Sequence, residues 1–295
     1  MGTFSRVTRL LRVALVLVLT LACGGGADRG VIQNRGSDTL VNVAVAWAER
    51  YADIRPDAAI GVSGGGSGTG IAALINGTAD IANASRGISD DEIRDARARG
   101  VEPVEHVVGF DALAVFLHPS NPIDSLSLTQ LARIYGEGGD IRLWSDLGVS
   151  MPGCRSDEIV RVSRQNNSGT YSYFRDAVLG DGRGFELGSR DLNGSSEVVD
   201  LVANTPCAIG YSGLAYATEH VKMPCIISAQ GGPCVPPTVS TAVDGSYPIA
   251  RPLYMYTAGQ PTGAVGDYIE WILSTPGQCT IFENGYAPAR PVTCG

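Results

Sequence analysis

Apolar positions along the first third of the chain switch repeatedly between two rhythms. Short runs at residues 31–34, 58–62 and 79–84 read as strands, and each gives way to apolar residues recurring every three or four positions. Leu40, Val43, Ala44, Trp47, Ala48 and Tyr51 trace one helical face; Ile71, Leu74 and Ile75 trace another, which Asn76-Gly77 stops. Ser89-Asp90-Asp91-Glu92 has the form of a capping box, opening a helix that Gly100 closes. Strand–helix alternation of this kind predicts an α/β domain on a largely parallel sheet, with ligands beyond the carboxyl ends of the strands.

The middle of the chain continues the alternation. Ser127-Leu128-Thr129-Gln130 is a second capping box, followed by Leu131, Ile134 and Tyr135. Residues 158–164 and 208–211 read as strands, and helices are expected through Thr170, Phe174 and Val178 and over 196–203. Residues 225–248, rich in Pro, Gly and Ser, read as a surface excursion, and 265–273 as the final helix. Apolar runs at 107–118 and 247–257 are long enough to cross between two lobes. These crossings put residues 31–111 and 251–295 in one lobe and 112–250 in the other, a clamp with a cleft.

Three turns rich in Ser, Thr and Gly lead into these helices: Gly36-Ser37-Asp38-Thr39, the run Gly64 to Gly70, and Asn167-Ser168-Gly169-Thr170. A helix start leaves N–H groups unpaired and carries partial positive charge, so an anion is its natural guest. Hydroxyls add donors, and glycines let the backbone approach. Arg164, at a strand end four residues before Ser168, can bring a planar donor fork to the same anion. Arg86 follows the strand at 79–84 and reads either as a second guanidinium or as the partner of Asp90 or Asp91. Asp38 is expected to cap the first helix rather than touch a ligand.

The glycine run admits other readings. A P-loop needs Lys after its glycines, where this chain has Ile71, and a dinucleotide fingerprint needs Gly at i, i+2 and i+5. A flexible linker fits the composition but not the tight placement between a strand and a periodic helix. Gly61-Val62-Ser63-Gly64-Gly65 matches the G-x-S-x-G of hydrolases, which would make Ser63 a nucleophile and His220 the best-placed base. No lipase-type oxyanion motif accompanies it.

Residues 1–22 read as an export leader: Arg6, Arg9 and Arg12 precede an apolar stretch far short of the roughly 18–20 residues a spanning helix needs. Leu21-Ala22-Cys23 resembles a lipobox, implying a lipid on Cys23 and a tether over 23–30 that holds the protein at the membrane on the periplasmic or outer side. Six further cysteines, even in number, fit disulfides in an oxidising compartment. Chain proximity favours Cys225–Cys234 and Cys279–Cys294, leaving Cys154–Cys207; the scattered His106, His118 and His220 and the lack of a C-x-x-C pair argue against metal. The chain's net charge is −8 from 22 basic and 30 acidic residues, and loss of the leader arginines leaves 19 basic ones and a net charge of −11. That excludes a basic field for nucleic acid and requires any anion site to work through local donors.

Gly-Ser-Asp-Thr-Leu at 36–40, Ser-Gly-Gly-Gly-Ser-Gly-Thr-Gly-Ile at 63–71, Ala-Asp-Ile-Ala-Asn-Ala-Ser-Arg at 79–86 and Arg164…Ser168-Gly169-Thr170 occur in that order, with Leu143-Trp144-Ser145-Asp146-Leu147 and Gly285-Tyr286-Ala287-Pro288 further on. The chain thereby resembles the PstS-like phosphate-binding proteins of bacterial ABC phosphate importers. The resemblance implies a two-lobed type II periplasmic-binding fold, each lobe a mixed, mostly parallel sheet flanked by helices. It implies no enzyme activity and no cofactor, but a monomer that hands inorganic phosphate to a membrane permease. By motif position Ser37, Thr39, the Leu40 amide, Ser67, Ser85, Arg86, Arg164, Ser168, Gly169 and Thr170 would hold a dehydrated phosphate. The family often has Asp where this chain has Arg86, and that Asp accepts the phosphate proton. Sulfate, molybdate or tungstate therefore remain alternative ligands, and a sensor role remains an alternative to transport.

Overall fold

The computed structural model describes residues 30–151, 153–180 and 182–295; the leader, Cys23 and the tether as far as residue 29 lie outside them. Strand β1 (Ile32–Gly36) runs through a 3-10 turn at Asp38–Leu40 into α1 (Val41–Ile54). There follow β2 (Ile60–Ser63), α2 (Ser67–Ile75), β3 (Ile81–Ala84), α3 (Asp90–Ala98) and the long β4 (Pro103–Leu117). Next come β5 (Ser125–Ser127), α4 (Leu128–Tyr135), β6 (Val160–Arg164), α5 (Gly169–Phe174), β7 (Arg190–Leu192), α6 (Ser195–Ala203) and β8 (Ala208–Gly213). The chain ends with β9 (Cys225–Ile227), α7 (Val239–Val243), β10 (Ala250–Ala258), α8 (Gly263–Leu273), α9 (Thr275–Glu283) and β11 (Ala287–Pro288).

The main sheet has the order β2-β1-β3-β10-β4-β8-β6-β7, with β11 beside β4. On one side β1 is parallel to β2 and β3, and on the other β6 is parallel to β7 and β8. The antiparallel pairings within it all involve the crossing strands: β10 with β3, and β4 with β10, β8 and β11. Residues 103–112 of β4 pair with β10 and residues 113–117 pair with β8, so a single strand serves both lobes. Each lobe has its own core. Leu40, Val43, Trp47, Tyr51, Met255, Tyr268 and Ile281 pack in one; Leu113, Val115, Tyr135, Trp144, Phe174 and Tyr211 pack in the other. The buried face of α1 is Val43, Ala44, Trp47 and Tyr51, the helical spacing seen in the sequence.

Both capping boxes form, Ser89 with Glu92 and Ser127 with Gln130. Three disulfides join Cys154–Cys207, Cys225–Cys234 and Cys279–Cys294, with Cα–Cα distances of 5.3, 5.3 and 5.5 Å. Two expectations are corrected. Residues 225–248 keep a largely exposed course but are more than a surface excursion: β9 pairs with β5, and Ile226, Ala242 and Tyr247 are buried in the second core. The short apolar Cys225-Ile226-Ile227 is hidden by the Pro- and Gly-rich chain around it. The last helix is not α8. Pro276 lies in the first turn of α9, where its missing N–H costs nothing. Among the described residues no helix is long and apolar enough to cross a membrane.

Candidate anion-binding site

The three hydroxyl-rich turns meet beside the crossing strands. Ser37, Thr39, Ser67, Ser85, Ser168 and Thr170 are all buried, at 3% exposure or less. Ser37 Oγ donates to Ser85 Oγ at 2.9 Å, the Ser85 amide donates to Ser67 Oγ at 3.0 Å, and the two Ser hydroxyls lie 3.5 Å apart. Thr39 Oγ1 is 3.0 Å from Thr170 Oγ1, joining the start of the first helix to the start of α5. Ser168 caps α5 by accepting from the Thr170 amide at 3.2 Å. Two glycines permit this closeness. A Cβ on Gly169 would fall 2.2 Å from Ser67 Oγ and 2.6 Å from Ser85 Oγ. Gly66, at φ +99°, would put one 2.6 Å from the Asn167 carbonyl.

Arg164 ends β6 with 1% exposure. Its Nη1 donates to Ser195 Oγ at 2.8 Å, its Nη2 to the Asn193 carbonyl at 2.6 Å and to Asp38 Oδ2 at 3.5 Å, and its Nε to the Leu192 carbonyl at 3.3 Å. Burial pulls this guanidinium below its ordinary pKa, and the Asp38 carboxylate opposes the shift. A guanidinium stays charged through such a change.

The second buried guanidinium is Arg251, which sequence reasoning missed. It lies on β10 directly opposite Asp111 of β4, and both are buried. Nε and Nη2 donate to Asp111 Oδ2 at 3.0 and 2.7 Å. Nη1 donates to the Ser85 carbonyl at 3.2 Å and to Thr170 Oγ1 at 3.1 Å, while Nη2 reaches Thr39 Oγ1 at 3.5 Å. Every N–H of the fork is therefore engaged, and one residue ties together the segments that supply Thr39, Ser85 and Thr170. Burial pushes the Asp111 carboxyl up from its ordinary value; Arg251 and the Leu214 amide, 3.2 Å from Oδ1, pull it back. The signal was a lone charge, of opposite sign, in each of the two apolar crossing runs.

Three expected residues sit differently from the expectation. Arg86 forms a bidentate pair with Glu92, both contacts 2.7 Å, rather than pairing with Asp90 or Asp91, and none of its hydrogen bonds goes to the cradle. The Leu40 amide closes its own turn on the Ser37 carbonyl at 3.1 Å. Asp38 makes no cap on the helix it opens; its carboxylate accepts from the Ser195 amide at 2.5 Å. Ser63 ends β2 exposed, and none of the hydrogen bonds of His106 and His118 reaches it. His220 sits beside Glu219. The cradle thus gathers hydroxyls beside two buried guanidiniums, and among the described residues no hydrogen bond joins Ser63 to a histidine.

A two-lobed α/β fold whose lobes both send buried donors to one point defines a solute-binding protein of the type II periplasmic class. The PBP superfamily domain matches residues 23–276. A phosphate-binding protein PstS from Pseudomonas aeruginosa is 33% identical over 270 residues, 88% of this chain and 83% of that protein. A substrate-binding protein from Clostridium perfringens, assigned to phosphate ABC transport and solved with phosphate bound, superposes with a TM-score of 0.77 at 27% identity, covering 88% of this chain and all of the other. An ABC-type phosphate transport receptor from Vibrio cholerae gives 0.68 at 25% identity over 88% of this chain and 100% of that one. The chain belongs to the PBP superfamily and, within it, to the PstS-like phosphate-binding proteins.

Proposed function

We propose that the protein captures inorganic phosphate in the cleft between lobes formed by residues 31–111 with 251–295 and by 112–250, and delivers it to an ABC-type importer. The observation that carries this reading is the convergence of Thr39, Ser67, Ser85, Thr170 and the close-packed Gly169 on one point flanked by Arg164 and Arg251. Thr39 and Thr170 both accept from Arg251 and share one hydrogen bond with each other, which leaves one hydroxyl hydrogen of the pair free to turn toward an oxyanion. Ser37 and Ser168 hold their neighbours in place, and Arg164 supplies the charge. Donors from both lobes favour the shut clamp once phosphate bridges them. Chemistry on the ligand plays no part. Export of the chain, with a lipid on Cys23, would hold the loaded monomer near its permease.

Calorimetric titration of ligand-stripped mature protein with phosphate, then sulfate, at neutral pH tests the reading. One-to-one phosphate binding with little sulfate response is the expected outcome. Comparable binding of both would make the protein a broader oxyanion carrier, and a folded protein that binds neither would end the proposal.

A further inference from the structure

Asp38 belongs to the turn after β1, yet its partners come from the far side of the crossing strands. Its Oδ2 accepts from the Ser195 amide at 2.5 Å and from Arg164 Nη2 at 3.5 Å, and its carbonyl accepts from the Tyr216 hydroxyl at 2.7 Å. Ser195 is the first residue of α6, and the N-cap of that helix, Gly194, has no side chain to offer. The carboxylate of one lobe therefore caps a helix of the other. Ser195 also accepts from Arg164 Nη1 through its Oγ, at 2.8 Å, so aspartate, serine and arginine form one triangle across the cleft. A carboxylate at a helix start satisfies an orphan N–H and meets the positive end of the dipole.

We infer that Asp38 is the closure latch of the clamp: a positioning residue whose carboxylate caps α6 only while the lobes are shut. The inference rests on the phosphate-capture reading. Arg164 in that reading serves the anion and faces Asp38 at once, so binding and capping favour the same closed form. A contact made only in that form slows opening and leaves entry of the ligand almost untouched.

The test is stopped-flow binding of inorganic phosphate to the mature protein, to Asp38→Ala and to Asp38→Asn. Ligand-free melting temperature and hydrogen exchange over the first turn of α6 are measured beside it. For Asp38→Ala the dissociation rate should rise about tenfold, the association rate should stay within about twofold, and the ligand-free melting temperature should not move. Asn keeps a carbonyl acceptor for the Ser195 amide but loses the charge, so it should fall between. Phosphate should protect the first turn of α6 in the parent protein and fail to do so in Asp38→Ala. An unchanged dissociation rate, a loss confined to association, or a lowered ligand-free melting temperature would each overturn the latch and make Asp38 a static part of the fold. A folded parent protein that ignores phosphate would instead overturn the capture reading. The latch would then fall if α6 exchanged equally fast in parent and variant.

Discussion

Arg251 and Asp111 show how a single cross-strand pair can set the properties of a site. Both are buried, and the fork of Arg251 is shared between Asp111 and the groups that line the cradle. Removing one partner leaves a buried charge uncompensated, whereas replacing both with apolar residues removes the desolvation cost as well. Arg251→Met should therefore lower stability by about 3–5 kcal/mol in urea unfolding. The double change Arg251→Met with Asp111→Leu should recover at least half of that loss. Phosphate affinity should not return with it, because Thr39 and Thr170 will have lost the donor that orients them. Recovery of both stability and affinity would show that Arg251 only fills space.

At the scale of elements, much was legible where local chemistry decides structure. The capping boxes, the buried face of α1 and the crossing strands follow from spacing alone, because those signals act within a few residues. β9 escaped because Cys225-Ile226-Ile227 is too short to stand out from its surroundings. The candidate site was legible as three hydroxyl-rich turns, which the fold brings together. Which donors are already engaged was not, since the Leu40 amide, Arg86 and Asp38 are assigned by tertiary partners. Arg86 illustrates the point, since its pair with Glu92 fastens the start of α3 to the end of β3. Burial alone would raise the Glu92 carboxyl, but the bonds from Arg86 and Ser89 hold it below its ordinary value of about 4.5. A depressed carboxylate stabilises the fold fully above the unfolded pKa and loses that contribution as pH falls through the folded one. Glu92→Gln should thus cost about 1–2 kcal/mol at pH 7, and the difference from the parent should vanish as the pH drops well below 4.5. A pH-independent difference, read from denaturant midpoints, would mean that shape and not charge holds this joint.

The whole molecule imposes a condition that no single residue reveals. It binds an anion, in the reading proposed here, while carrying a net charge of −8 that deepens to −11 without the leader arginines. The two arginines of the cradle are buried, so their field acts at short range while the acidic surface dominates at a distance. Approach of a phosphate dianion is then slowed by repulsion, and capture depends on donors felt only inside the cleft. Salt screens the first effect and barely touches the second, since the Debye length shrinks to about 10 Å at 0.1 M while buried contacts stay dry. The association rate of phosphate should therefore rise with salt, by about two- to fivefold between roughly 10 and 200 mM. The dissociation rate should change by less than about twofold, so affinity tightens as ionic strength grows. Most anion sites on basic surfaces behave in the opposite sense. An association rate that fell with salt, measured by stopped flow at fixed pH, would show that a local positive field at the cleft mouth outweighs the acidic surface and steers the ligand in.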